Sequence, residues 1–194
     1  MKKFSKNQLY RCPWSEVDQL MKDYHDKEWG VPLHDDRKIF EFMVLDAFQA
    51  GLSWKTILHR RDNFRKALNN FQPEKIAHYN KEDYERLLAD ASIIRNRAKI
   101  NSTITNAECF LEVQREFGSF DKYIWGFVDN MPIVNKHKKL EDFPTKSDLS
   151  DHISRDLVKR GFKFVGTTIT YSFLEAAGLL NNHFYECFRY EQLK

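Results

Sequence analysis

Three cysteines, Cys12, Cys109 and Cys187, are all that this chain of 194 residues contains. An odd and small number argues against a disulfide framework. Cys109 lies in a helical pattern and reads as a small buried hydrophobe. No stretch approaches the roughly 18 to 20 consecutive apolar residues of a membrane helix, so no membrane association is expected. The N-terminal run MKKFSKNQLYRCPW is basic but lacks an apolar core. It does not read as a signal peptide, and the cytoplasm is the expected compartment. Internal repeats, low-complexity tracts and alternating strand patterns of useful length are also missing. Neither sign of charge is in large excess, because the formal net charge is +3. Overall balance therefore says little about nucleic acid.

What is present reads as helix. Ser15 is placed to cap a helix over 16–27, with Val17, Leu20, Met21 and Tyr24 on one face. Asp35 or Asp36 caps the next, which runs toward Gly51, and Ser53 caps a third from Trp54 to about Asn69. Pro73 opens a short helix, and Asn80 caps another over 81–90. A long periodic stretch, 92–117, stops at Gly118. A short aromatic helix over 120–128 precedes an irregular segment, 130–144. Ser147 or Ser150 opens a helix to Arg160, and 167–177 is the last strong helix, closed by Gly178. The expectation is an all-α fold: one compact domain, or two small lobes sharing a core.

Three features carry chemistry. His183 and Cys187 stand at i and i+4, which on a helix puts both on one face. Zinc takes such nitrogen and sulfur ligands in a tetrahedron. Cys12 and His25 are the Cys–His combination near the other terminus. Together the four make a closed, structural site that staples the chain ends; unrelated packing residues are the alternative. Second, Lys159-Arg160-Gly161-Phe162-Lys163-Phe164-Val165-Gly166-Thr167-Thr168 joins two helical patterns. Apolar anchors between glycines suit a helix–hairpin–helix turn. Gly166, Thr167 and Thr168 then sit at a helix N-terminus, which can hold a phosphate beside Arg160 and Lys163. A plain glycine-capped connection is the alternative. Basic clusters at 95–99 and 136–139 read as solvated faces or as further DNA contacts.

The third is Asp46, in a helix that is apolar nearly all round. It lies on the stripe of Ile39, Phe42 and Met43. A buried carboxylate needs a partner donor in the fold or a ligand. Trp14, Trp29, Trp54 and Tyr24 all fall early in the chain, the first two close to Cys12 and His25. Rings gathered there form a pocket that stacks a nucleobase, or else they are core.

Taken together, Arg11-Cys12-Pro13-Trp14, Tyr24-His25-Asp26-Lys27-Glu28-Trp29-Gly30-Val31-Pro32, Gln49-Ala50-Gly51-Leu52-Ser53-Trp54, Ile93-Ile94-Arg95-Asn96-Arg97 and Gly161 to Thr168 resemble the Tag family of 3-methyladenine DNA glycosylases. The resemblance runs from about Tyr10 to Cys187. It implies a helix–hairpin–helix glycosylase fold, a single module over 1–194 whose N- and C-terminal segments form a zinc-stapled lobe beside a central helical lobe. It implies Zn2+ on Cys12, His25, His183 and Cys187. It implies double-stranded DNA as partner, with Lys163, Gly166, Thr167 and Thr168 in the DNA-binding hairpin; Arg160 and Gly161 are DNA-binding candidates beside them, and a monomer is expected. It places Trp54, Trp14 and Tyr24 along the base pocket and Asp46 where the family hydrogen-bonds the flipped base; Trp29 and Phe48 are added as base-binding candidates, and Asp46 and Tyr24 are the candidate catalytic residues. The family usually places glutamate where Asp46 stands, and glycine where Ala47 stands. Aspartate is one methylene shorter, so altered specificity or a binding-only module is the rival reading.

The implied reaction is hydrolysis of the N-glycosidic bond of an alkylated purine flipped from the duplex. N3-methylation makes the base cationic, so it leaves without a strong general acid. No lysine is placed for a Schiff base, so no lyase step is expected. Between Thr168 and Cys187 only Glu175 and Glu186 are acids, which fits a family without the aspartate that related enzymes place after the hairpin.

Overall fold

The structure is a computed structural model and describes residues 9–194. The first part of the basic N-terminal run, MKKFSKNQ, lies outside the described residues. Helix dominates, as expected: α1 Gln19–Lys27, α2 Asp36–Gln49, α3 Trp54–Leu58, α4 Arg61–Ala67, α5 Pro73–Ile76, α6 Lys81–Ala89, α7 Arg97–Phe117, α8 Phe120–Trp125, α9 Asp148–Lys159, α10 Thr167–Ala176 and α11 Phe188–Gln192. Among the described residues, no helix is long and apolar enough to cross a membrane.

Helix α2 is the axis around which the rest is packed. Every residue on it from Ile39 to Phe48 is buried. Helices α3, α7, α8 and α10 lie against it. Asp35 starts α2 by accepting the Lys38 N–H at 2.9 Å. At the other end the buried Lys99 ammonium donates to Phe48 O at 2.8 Å and to Ala50 O. A cation there also suits the negative end of the helix dipole. Both ends of α2 are thus pinned, which fixes where Asp46 stands.

Several helix starts differ from the sequence reading, each because a side chain is spent elsewhere. Ser15 donates to Cys12 O at 2.8 Å instead of capping, and Asp18 caps α1 through the Met21 N–H. The inward face of α1 is Met21, Tyr24 and His25; Val17 and Leu20 are 57% and 41% exposed. The helix expected over 54–69 breaks after Leu58. The break turns Arg61 onto Glu41 and Glu28, both at 2.7 Å. Residues 92–96 are not helical, since Asn96 accepts the Lys99 N–H and begins α7 there.

Among the described residues, two short strands interrupt the all-helical expectation. β1 (Ile133–Val134) pairs in parallel with β2 (Leu180–Asn181), and a bridge between His137 and Phe184 continues the pairing. Two-residue strands leave no periodic trace in a sequence. Their effect is large, because they hold the irregular segment 130–144 against 180–184. That second segment is pulled out of helix by the pairing. His183 and Cys187 are therefore in a turn, closed by Cys187 N–H to Phe184 O at 2.7 Å, and not on one helix face.

The chain passes α10 through Gly178, at φ +77°. A Cβ there would sit 2.4 Å from Val31 C and 2.5 Å from Val31 O. The same crossing carries hydrogen bonds from Gly30 N–H to Glu175 O and from Leu33 N–H to Ala177 O, both 3.1 Å. Gly178→Ala is expected to cost about 3 kcal/mol or more, from left-handed backbone and overpacking together. A urea midpoint within error of the parent would refute that close approach.

Candidate active site and metal centre

Cys12, His25, His183 and Cys187 come together as expected, although by a different local structure. Their four ligand atoms lie within 4.8 Å of one another, and all four residues are buried. Cys187 Sγ is 3.4 Å from His25 Nε2 and 3.6 Å from His183 Nδ1. Cys12 Sγ is also 3.6 Å from His183 Nδ1. Zinc–sulfur and zinc–nitrogen bonds at a tetrahedral angle put sulfur and nitrogen about 3.5 to 3.6 Å apart. The three sulfur–nitrogen separations are therefore at the spacing of ligands about a tetrahedral ion.

Surrounding groups set the imidazoles for that role. His25 Nδ1 meets Asp26 Oδ1 at 2.8 Å, and Arg11 grips the same carboxylate at 2.8 Å. His183 Nε2 meets Trp29 O at 3.1 Å. Each ring thus spends one nitrogen outward and turns the other inward. The Phe184 N–H donates to Cys12 Sγ at 3.4 Å, a contact that favours thiolate. Hydrogen bonds from Cys12, His183 and His25 depress the Cys187 thiol, while burial holds the Cys12 thiol up. A divalent cation would hold both as thiolates.

Beside this cluster lies a cavity of about 210 Å³, lined by Trp14, Tyr24, Trp29, Asp46, Gln49, Trp54, Phe143, Ser172, Glu175 and Ala176. The Cys–His cluster helps to build it. Trp14 packs edge-on against His25 at 5.4 Å and against Trp29 at 5.0 Å. Tyr24, next to His25, sits 5.0 Å from Trp54 between ring centroids.

Asp46 enters from α2. It is 4% exposed, and its Oδ2 has no hydrogen-bond partner. The Nε1 of Trp54 is likewise buried and unpartnered. Native proteins leave few such atoms, and each calls for an explanation. Here an acceptor and a donor stand unmatched in the walls of one cavity. Burial, and then the charge of Glu175, push the Asp46 carboxyl well above the usual carboxylate range. Burial lifts Glu175 to about 7, opposed by a hydrogen bond from Asn182. Burial and then Asp46 raise the Tyr24 phenol in turn.

Of the expected base-binding residues, Trp14, Trp29 and Trp54 line the cavity and Phe48 does not. Phe48 is two positions beyond Asp46, so it faces away; it is 1% exposed and packs on Phe64 at 4.7 Å. The sequence reading missed Gln49, Ser172 and Phe143, and it treated Glu175 only as an acid without a place. Glu175 had a signal, as the one charge within α10. Phe143 had none, because it lies in an aperiodic segment.

The expected hairpin joins α9 and α10, which pack together. Phe162 and Val165 are its buried anchors. Asn106 holds its tip in both directions, accepting from Lys163 N–H at 2.7 Å and donating to Lys163 O at 3.0 Å. Ser154 and Thr170 both donate to Val165 O. Gly166 starts α10 with no side-chain cap, and Lys163, Gly166 and Thr168 are exposed. The first turn of α10 thus has no side-chain cap at its start, three positions after an exposed lysine. Gly161 takes φ +97° and would place a Cβ 3.2 Å from Cys109 Sγ. Arg160 departs from expectation. It is committed to Glu116 and Asp156 at 2.6 and 2.7 Å, and it lies over the Phe117 and Tyr123 rings. Its role is to tie α9 to α7.

A profile of the methyladenine glycosylase family matches residues 14–190. The chain is 47% identical to DNA-3-methyladenine glycosylase 1 of Escherichia coli (strain K12), covering 92% of this chain and 96% of that protein. It is 41% identical to DNA-3-methyladenine glycosylase of Haemophilus influenzae, covering 91% and 96%. A solved variant of 3-methyladenine DNA glycosylase I (TAG) in complex with 3-methyladenine superposes with a TM-score of 0.90 at 34% identity, covering 93% and 97%.

Proposed function

The chain belongs to the methyladenine glycosylase family, and from that premise we propose that it hydrolyses the N-glycosidic bond of 3-methyladenine in double-stranded DNA. The observation that carries this reading is Asp46: a buried carboxylate with an unpartnered oxygen, in a cavity walled by aromatic rings. Identities of 47% and 41% to proteins that bear the glycosylase name support catalysis over a binding-only module.

In this reading the lesion is extruded from the duplex and enters the cavity between Trp14 and Trp54. Their faces attract the positive charge of the N3-methylated base. Asp46 accepts a hydrogen bond from the base edge and offsets that charge; Tyr24 stands beside it with its hydroxyl. The bond from C1′ breaks with its electron pair going to the base, which leaves neutral. Water adds to C1′ and gives its proton to solvent. Lys163, Gly166, Thr167 and Thr168 hold the DNA backbone at the start of α10, in a helix–hairpin–helix arrangement. A structural Zn2+ on Cys12, His25, His183 and Cys187 would fasten the chain ends and carry Trp14 and Trp29 into the pocket wall. Four protein ligands leave such an ion no open position for water. The chain acts alone, as a monomer.

The test is base release. Incubation with a methylated duplex is expected to liberate free 3-methyladenine and leave an abasic strand without a nick. Release of no base from any alkylated duplex would return the chain to a binding role.

A further inference from the structure

Resting on the base-pocket reading above, we infer that Glu175 is a specificity-determining residue, which lets the pocket select a cationic alkylated purine over a neutral one. Glu175 comes from α10 and Asp46 from α2, and both line the same cavity. Neither carboxyl forms a salt bridge with a lysine or arginine among the described residues. The other buried carboxylate among the described residues, Glu41, is paired: Arg61 and Arg65 hold it at 2.7 and 2.8 Å. Two unpaired carboxyls in one low-dielectric cavity make a site for a cation.

Glu175 is also positioned with unusual care. Asn182 donates to its Oε1 at 2.7 Å. Asn182 is fixed in turn by Tyr171 Oη at 2.7 Å, Asn135 Nδ2 at 2.7 Å and His137 Nε2 at 3.2 Å. The Glu175 carbonyl accepts the Gly30 and Gly178 N–H groups at 3.1 and 3.2 Å. This framework turns one oxygen toward Asn182 and leaves Oε2 for a ligand.

The chemistry follows from the charge of the substrate. An N3-methylated purine in DNA is a cation, whereas unmodified purines are neutral. With the pocket empty, like charges hold one proton on the carboxyl pair. A cation entering the pocket displaces that proton and gains a second carboxylate; a neutral base does not. Cleavage returns the bond pair to the base and neutralises it, so the extra attraction ends at product. The titratable groups facing Glu175 are Asp46 on α2, Tyr24 on α1, Tyr171 one turn earlier on α10, and His137 behind Asn182.

The experiment is Glu175→Gln in the full chain, which keeps the shape and removes the charge. Excision of 3-methyladenine from methylated duplex is followed between about pH 6 and 8.5. Affinity for the free, neutral base is read by tryptophan fluorescence at about pH 8, with a thermal melt as control. Loss of about tenfold in kcat/KM is expected at the alkaline end, shrinking toward the acid end where the parent carboxyl is protonated too. Free-base affinity is expected to stay within about threefold, with no fall in Tm. An unchanged kcat/KM, or an equal loss for the neutral base, overturns the inference. Asp46→Asn, run in parallel, separates the two levels. If it is disabled while Glu175→Gln is silent, only this inference fails; if both are silent, the pocket reading fails with it.

Discussion

Asp46→Asn is expected to lower kcat/KM for 3-methyladenine excision by about 10- to 100-fold, the worth of one charged hydrogen bond made to the reacting base. The substitution keeps the size of the side chain, so packing of α2 is preserved. It removes the negative charge beneath the cationic base. Stability should move the opposite way. Burial and Glu175 hold the Asp46 carboxyl well above its ordinary range. An acid raised on folding binds more protons folded than unfolded, so stability falls as pH rises above the ordinary carboxylate value. Asparagine lacks that loss. The variant should therefore melt higher than the parent at neutral pH, and the gain should vanish toward acid. Activity lost with stability gained is the signature of a residue kept for function. A variant that melts lower and excises normally would place Asp46 in a structural bond.

Removal of metal from the chain ends is the second large effect expected. Cys187→Ser, or treatment with a strong chelator, should lower Tm by about 10 °C or more. Loss of the ion leaves buried thiols and imidazoles facing each other with nothing between them. The segment around Cys12 and the turn from His183 to Cys187 then keep contacts such as Phe188 N–H to Tyr10 O and Phe184 N–H to Cys12 Sγ, but lose the charge that would hold both thiolates. Cys109→Ser serves as the control, since Cys109 lies in α7 away from the cluster. The parent and this control should release one zinc per chain to a metallochromic dye; Cys187→Ser should release none. Base affinity should fall together with the metal, because Trp14 and Trp29 pack directly on the His25 and His183 rings. Full stability and full occupancy without Cys187 would dismiss the cluster as a metal centre.

Much of this was legible in the chain itself. Caps marked α2, α3, α6 and α9 because a short polar side chain at a helix start answers free N–H groups locally. Asp46 stood out because one charge in an apolar helix needs an explanation wherever that helix packs. The four clustered Cys and His residues were visible as residue types, and the turn between α9 and α10 as apolar anchors between glycines beside a basic run. Membership of the family followed from ordered motifs along nearly the whole chain.

The three-dimensional pairing of distant segments decided the rest. His183 and Cys187 converge through a turn held by strand pairing with 133–137, a contact no local pattern encodes. Phe48 leaves the pocket because a helix rotates 100° per residue, so two positions past Asp46 points to the core. Arg160 is drawn away from the hairpin by two carboxylates, one of them 44 positions earlier. Glu175 acquires meaning only where α10 meets α2 and faces Asp46 across the cavity. Local propensity and residue chemistry fixed the helices and the candidate ligands. Which carboxyl meets which, and with no cation between them, depended on packing, because burial and proximity are properties of the folded chain.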